Sequence, residues 1–294
     1  MLKLDSVSKV YKVGTFGGRE LRAVRDVSFE VAPAQVLSLI GESGSGKSTI
    51  GKLILRLARL TGGAITFDGA DISALGRGEL KGYYRNVQGV FQDPFSSYNP
   101  IFKADRVFGL IRDAFFPRTT EAEWRNRVHK ALQDVSLEPD QVLGKYPHQL
   151  SGGQLQRMLI ARALLLDIKI LVADEIISML DASTRVDVLN LLGDLKARGL
   201  GIVFITHDLS LGNYISDKTV ILRRGAVVEM GPTQRVFGNP LHPYTKMLLA
   251  SVPQLHEKWS KDTEPYAAFE EPDPDADAPA LLEIEDDHFV AAYQ

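Results

Sequence analysis

VLSLIGESGSGKST, Val36 to Thr49, decides the fold. Val36 to Gly41 is a short apolar run, with the length and composition of a strand buried on both faces. It passes straight into Gly41, Glu42, Ser43, Gly44, Ser45, Gly46, Lys47, Ser48 and Thr49. That loop fits G-x-x-x-x-G-K-[ST], and the context is right: a strand before it, and after it a helix expected over Ser48 to Leu57. Glycines let a backbone wrap tightly, so that its N–H groups face a nucleotide's phosphates. The helix N-terminus adds about half a positive charge. Lys47 can bridge β- and γ-phosphates, and the Ser48 hydroxyl can ligate Mg²⁺. A glycine-rich turn that binds nothing is the plainer reading, and it leaves the strand–loop–helix context unexplained.

Working outward, residues 2–11 and 21–32 alternate enough to be strands joined by a glycine-containing turn, and AITF and VQGVFQ are further strand candidates. Residues 102–148 show helical periodicity, above all in EAEWRNRVHKALQDV, and read as a helical insert. Next come a helix from Ser151 to about Leu165, a strand ILVA, a helix from Ala182 to Ala197 and a buried strand GIVFIT. TVILRRGAVVEM reads as a hairpin turning at Arg224–Gly225. Strands alternating with helices mean an α/β fold: a parallel sheet covered on both faces.

ILVADE puts Asp174 and Glu175 where a buried strand exits, the end at which α/β sheets bind their ligands. There Asp174 can hold Mg²⁺ through water, and Glu175 can orient and polarise an attacking water as a general base. An isolated Asp-Glu pair is as often a solvated turn; the phosphate loop upstream favours the chemical reading. LSGGQLQR, Leu150 to Arg157, is a second glycine-rich helix opening. Ser151 suits the N-cap, and Gln154, three residues on, completes a capping box. Gly152 and Gly153 leave the helix start bare, open to a phosphate that the first loop does not hold.

Bulk properties exclude several classes. The 294 residues include no cysteine, which rules out disulfides, thiol nucleophiles, cysteine zinc sites and a cysteine-ligated iron–sulfur cluster. MLKLDSVSKVY has no charged-then-apolar run, and no stretch reaches the roughly 18 apolar residues of a spanning helix; MLIARALLL comes closest and Arg162 interrupts it. The protein is expected in the cytoplasm. Net charge is −3, but the 11 acids from Asp262 onward meet no Lys or Arg, leaving 26 acids against 34 bases in residues 1–261. The bases are scattered, so attraction for a nucleotide or an anionic surface accounts for them without nucleic acid. The Pro-, Asp- and Ala-rich stretch Glu264 to Pro279 is expected to be mobile.

With LSGGQ beside the phosphate loop, residues 1 to about 253 resemble the ATP-binding subunit of an ABC transporter. The resemblance implies a P-loop NTPase core, an antiparallel β subdomain, a helical subdomain at about 93–160 and a C-terminal extension, 254–294. It implies that two ATPase subunits sandwich two ATP molecules. Ser151, Gly152, Gly153 and Gln154 would then contact the γ-phosphate held by the opposing subunit. By the same resemblance Tyr11 stacks on adenine (a core tyrosine being the plain alternative). Gln92 in VFQDP senses metal and water, Asp181 in SMLD lies on the loop reaching across the dimer, and His207 in FITHD contacts the γ-phosphate.

VFQDPFSSYNP, YPHQLSGGQ, NPLHPYTKMLLASVP (Asn239 to Pro253) and the terminal EIEDDHFVAAYQ resemble the oligopeptide/dipeptide import branch. Asn239 to Pro253 also reads as a helix opened near Pro243 and stopped near Pro253. The implied partners are a second, identical or related ATPase subunit, two integral membrane permease subunits and, indirectly, an external substrate-binding protein. The implied location is the cytoplasmic face of the cell membrane. The family usually has Pro-Thr after the catalytic glutamate and alanine further on; this chain has Ile176, Ile177 and Met179. Such variants also occur in relatives importing oligosaccharides, the alternative cargo. Many branch members carry tail cysteines for an iron–sulfur cluster, and this chain has none. A chromosome-maintenance or repair ATPase is the rival from another class, but the stretch from Gln92 to Ser151 is too short for a coiled-coil insert.

Overall fold

The computed structural model describes residues 1–14, 18–251 and 278–292. They fall into two compact units: Met1–Ala74 with Val203–Gln294, and Leu75–Ile202.

The first unit opens with β1 (Leu2–Val13) and β2 (Arg19–Val31), antiparallel with Leu2 opposite Val31 and Leu4 opposite Phe29. Leu2 and Leu4 are buried while Lys3 between them is exposed, the period-2 pattern of a sheet with one covered face. Then come β3 (Val36–Ile40), α1 (Lys47–Ile54), β4 (Gly62–Phe67) and the two-residue β5 (Ala70–Asp71). Strand order in this sheet is β2-β1-β4-β5. All five residues of β3 are buried, as its apolar run requires.

The second unit holds α2 (Arg77–Asn86), β6 (Val87–Val90), α3 (Arg106–Phe115), α4 (Glu121–Asp134), α5 (Pro139–Val142), α6 (Gly152–Leu164), β7 (Ile170–Asp174) and α7 (Ala182–Ala197). Within 102–148 the regular structure is helical, as the periodicity predicts. α4 starts at a capping box: Glu123 N donates to Thr120 Oγ1 (3.3 Å), and Thr120 N donates to Glu123 Oε2 (2.9 Å). Trp124, Val128, Ala131 and Leu132 form its buried stripe, and α4 packs on α6. Each large apolar side chain so buried contributes about 1.5–3 kcal/mol. Arg162, the residue that interrupts MLIARALLL, is turned inward and donates to Gly89 O (2.6 Å). Burial lowers its pKa, the buried Tyr98 opposing this.

β8 (Gly201–Thr206) returns the chain to the first unit, followed by α8 (Leu209–Ile215), β9 (Lys218–Arg223), β10 (Ala226–Pro232), α9 (Thr233–Gly238), α10 (Pro243–Ala250), β11 (Leu281–Glu285) and β12 (His288–Ala291). β9 and β10 turn at Arg224–Gly225, with φ +46° and +85°; a two-residue turn with both φ positive matches the strands' own twist. Strands here run β11-β12-β10-β9-β3-β8, with β3 and β9 parallel, β12 antiparallel to β10 and β11 antiparallel to β12. The C-terminal segment thus ends in a hairpin on β10. Of the stretch expected to be mobile, 264–277 lies outside the described residues, as does Pro253.

Candidate nucleotide site

β3 ends at Ile40 and α1 begins at Lys47, so residues 41–46 form the loop between them. The helix closes at Ile54, short of the expected Leu57, because Arg56 takes a left-handed φ of +56°. Gly46, the α1 N-cap, has φ +102°, and a Cβ there would lie 2.4 Å from Ala23 O. No N-cap side chain takes up the first amides of α1, which suits an anion at the helix end. Lys47 is 5% exposed, and its Nζ donates to Gly41 O and Glu42 O (2.7 Å each) and to Ser45 Oγ (3.4 Å). A buried ammonium needs such acceptors, and phosphate oxygens are stronger ones. A backbone cradle that a Cβ would fill, tied to a buried cation, fits a polyphosphate. Ser43 and Gly44 are exposed at the loop's tip, and Ser48 and Thr49 are half-buried behind it.

In the same unit His207 is exposed just past β8, the strand beside β3. Asp208 follows it and caps α8, accepting from Ser210 N (2.9 Å) and Leu211 N (3.3 Å). Tyr11 stands on β1 opposite Leu21, half-buried, with Lys9 Nζ 4.7 Å from its ring centroid.

In the second unit, β6 and β7 run parallel with Val90 alongside Ala173. That register brings Gln92 and the pair Asp174–Glu175 out at one edge. Asp174 is 7% exposed at the end of β7. Glu175 has φ +50°, a left-handed backbone costing about 1–3 kcal/mol, of the kind that collects at functional sites. Ser178 donates its amide and hydroxyl to Glu175 O (3.1 and 2.9 Å) and fixes the turn. Ile176 and Ile177 are both buried, whereas Met179 is exposed. Apolar packing therefore anchors the segment that follows Glu175.

The capping box expected at the second glycine motif is present. Gln154 N donates to Ser151 Oγ (3.2 Å) and Ser151 N to Gln154 Oε1 (2.9 Å). Asp181 caps α7: Oδ1 accepts from Thr184 N (3.0 Å) and Ser183 Oγ (2.7 Å), and Oδ2 from Thr184 Oγ1 (2.9 Å). The Thr184 amide first, then the two hydroxyls, hold its carboxyl down to about 2. The two helix starts meet: Leu180 Cδ2 would lie 3.9 Å from a Cβ on Gly152. In front of them is an open cleft of about 380 Å³, lined by Ser136, Glu138, Ser151, Gly153, Arg157 and Thr184. Its Arg157 is paired with Asp187 across 3.2 Å.

Residues 24–178 match the family described as ABC transporter, more than half of the chain. The chain belongs to the ABC transporter family. It is an ATPase cassette, and residues 228–275 match a second description, oligopeptide/dipeptide transporter, C-terminal region. The cassette is 41% identical over 256 residues to a "Putative peptide import ATP-binding protein" of Brucella ovis, covering 86% of this chain and 78% of that protein. It is 44% identical over 243 residues to a glutathione import ATP-binding protein of Escherichia coli K12, covering 80% of this chain and 38% of that longer protein. Among solved structures, a dimeric ATP-binding cassette in a post-hydrolysis state with ADP and Pi superposes with a TM-score of 0.71 at 30% identity, over 79% of this chain and 99% of that one. The cbiO1 cassette of Clostridium perfringens gives 0.69 at 25%, over 81% and 90%.

Sequence reasoning missed Glu229 and His288, which sit fully buried against each other, Nε2 donating to Oε1 across 2.8 Å. Glu229 interrupts the apolar run VVEM, and that was its one visible signal.

Proposed function

We propose that this cassette hydrolyses ATP to drive an importer of di- or oligopeptides, as a peripheral subunit on the cytoplasmic face of the cell membrane. The C-terminal match at residues 228–275 carries the cargo class, because it joins an ATPase core to a segment described for oligopeptide and dipeptide transporters. The named import proteins of Brucella and Escherichia support it. Residues 1–253 form the ATP-binding domain, with its helical subdomain at about 93–160, and 254–294 the acidic extension. Its partners are a second ATPase subunit, two permease subunits and, through them, an external substrate-binding protein. Among the described residues no helix is long and apolar enough to cross a membrane; in this reading the permease subunits supply the spanning path.

In this reading the loop amides and Lys47 bind the β- and γ-phosphates, while Tyr11 packs on the adenine. Mg²⁺ takes few protein ligands beside substrate phosphates, and Ser48, Asp174 and Gln92 would hold it. When bound, it neutralises charge developing on the phosphates. Glu175 orients the attacking water and accepts its proton; His207 steadies the γ-phosphate. Ser151, Gly152, Gly153 and Gln154 of the second subunit close over that phosphate, exclude bulk water and complete the electrostatic shell. ATP then holds two subunits together, and its cleavage releases them; Asp181 lies on the loop between them. Gln92 and the helical subdomain carry the motion to the permease.

Purification of the tagged chain from its own cells, with ATP-dependent peptide uptake into vesicles of the complex, tests the reading. Integral membrane subunits and peptide accumulation are expected. A soluble complex with DNA-bound partners, or uptake of sugars alone, refutes it.

A further inference from the structure

We propose that Tyr244 is a positioning residue for the phosphate loop, held there from the C-terminal hairpin through Glu229 and His242. The inference goes beyond cargo and partners and rests on the nucleotide site alone.

Glu42 N donates to the Tyr244 phenol oxygen across 3.2 Å. Glu42 N–H and Gly41 C=O belong to one peptide group, and Gly41 O accepts Lys47 Nζ at 2.7 Å. A peptide group is rigid and planar. Tyr244 and Lys47 therefore hold opposite ends of the same plane. When Lys47 turns to phosphate oxygens, the tyrosine still pins the plane and stops the loop's entry from rotating.

Such a role needs a fixed phenol. The Tyr244 ring is 2% exposed in a cluster with Ile40, Leu209, Ile221, Val228, Val236 and Ala291. The Arg223 guanidinium lies 4.8 Å from its centroid. Burial first of all raises its pKa, so the phenol keeps its proton and still accepts through its oxygen. His242, the α10 N-cap, accepts the Tyr244 amide at Nδ1 (2.9 Å). Burial brings His242 down to about 4, against Glu229, which raises it, so Nδ1 is an acceptor at neutral pH. Glu229 gathers the rest. Its Oε2 accepts from His242 N (2.9 Å), and its Oε1 from Leu241 N (2.9 Å) and His288 Nε2 (2.8 Å). His288 stands on β12, which pairs with β10 at Glu229–Val290. A chain of hydrogen bonds, buried up to its last, part-buried link at Glu42, thus runs from the terminal hairpin to the first peptide of the phosphate loop.

The test uses the full chain, Mg-ATP with a fluorescent ribose label for affinity, and steady-state ATPase for KM and kcat. Tyr244→Phe keeps the ring and removes one oxygen. Kd and KM should rise about three- to tenfold, the equivalent of one lost hydrogen bond, with kcat within twofold. His288→Leu, remote from the loop, should raise KM in the same direction. His288→Gln keeps an amide donor for Glu229 and should restore it. Unchanged Kd and KM in Tyr244→Phe, whether or not its melting temperature falls, would overturn the positioning role. A His288→Gln as impaired as His288→Leu would overturn the link to the hairpin. Failure of the unaltered chain to bind Mg-ATP would instead defeat the nucleotide-site reading.

Discussion

Replacing Gly46 by alanine should weaken the first unit far more than replacing Gly44, although both glycines lie in one loop. Gly46 has φ +102° and Gly44 φ +83°, so each alanine incurs the left-handed backbone cost of about 1–2 kcal/mol. The surroundings differ. A Cβ on Gly44 meets nothing within 4 Å, whereas one on Gly46 would sit 2.4 Å from Ala23 O, a backbone atom of β2 that cannot swing aside. Overpacking of this kind adds about 1–3 kcal/mol. Gly46→Ala should therefore cost about 2–5 kcal/mol against about 1–2 for Gly44→Ala. Two compact units need not unfold in one step, so a single global midpoint is the wrong readout. Hydrogen exchange of the β3 and α1 amides reports the local opening free energy. Equal losses in the two variants, or an unperturbed Gly46→Ala, would refute the close approach to β2.

Three further outcomes are expected. Glu175→Gln should bind Mg-ATP normally, trap a closed dimer on gel filtration and lose steady-state turnover; full turnover would reject Glu175 as the base. On the proposed reading, in which Ser151 serves a phosphate held by the partner, Ser151→Arg should leave nucleotide affinity within about twofold while turnover is abolished; lost affinity in the isolated chain would place Ser151 in its own site. Asp181 is ionised down to about 2 when folded, below the ordinary carboxylate near 3.9. Its contribution to α7 is therefore complete above about pH 4 and disappears as pH falls toward 2. The stability difference between the chain and Asp181→Leu should shrink over that window, and a difference constant from pH 6 to 3 would contradict the cap.

Local rules made some parts readable. Val36 to Thr49 announced strand, loop and helix because burial on both faces demands an unbroken apolar run and phosphate wrapping demands glycines. Arg224–Gly225 announced a hairpin, and Ser151–Gln154 a capped helix, because turn and cap chemistry is complete within four residues. α2 was not legible: Tyr83 is its single buried residue, so it has no apolar stripe to read. The hairpin of β11 and β12 was hidden for a related reason, since Leu282 and Ile284 are exposed and the residues of β10 that pair with it lie about sixty positions upstream.

By itself the chain's order of residues marked the glycine-rich loop after β3 and the acidic pair at the end of β7, for each is spelled by residues adjacent in sequence. Only the tertiary structure decided what holds them: β2 against Gly46, Ser178 under the strained Glu175, and Tyr244 on the Glu42 amide. Those contacts join residues 3 to more than 200 positions apart, and a buried donor takes whichever acceptor folding delivers to it.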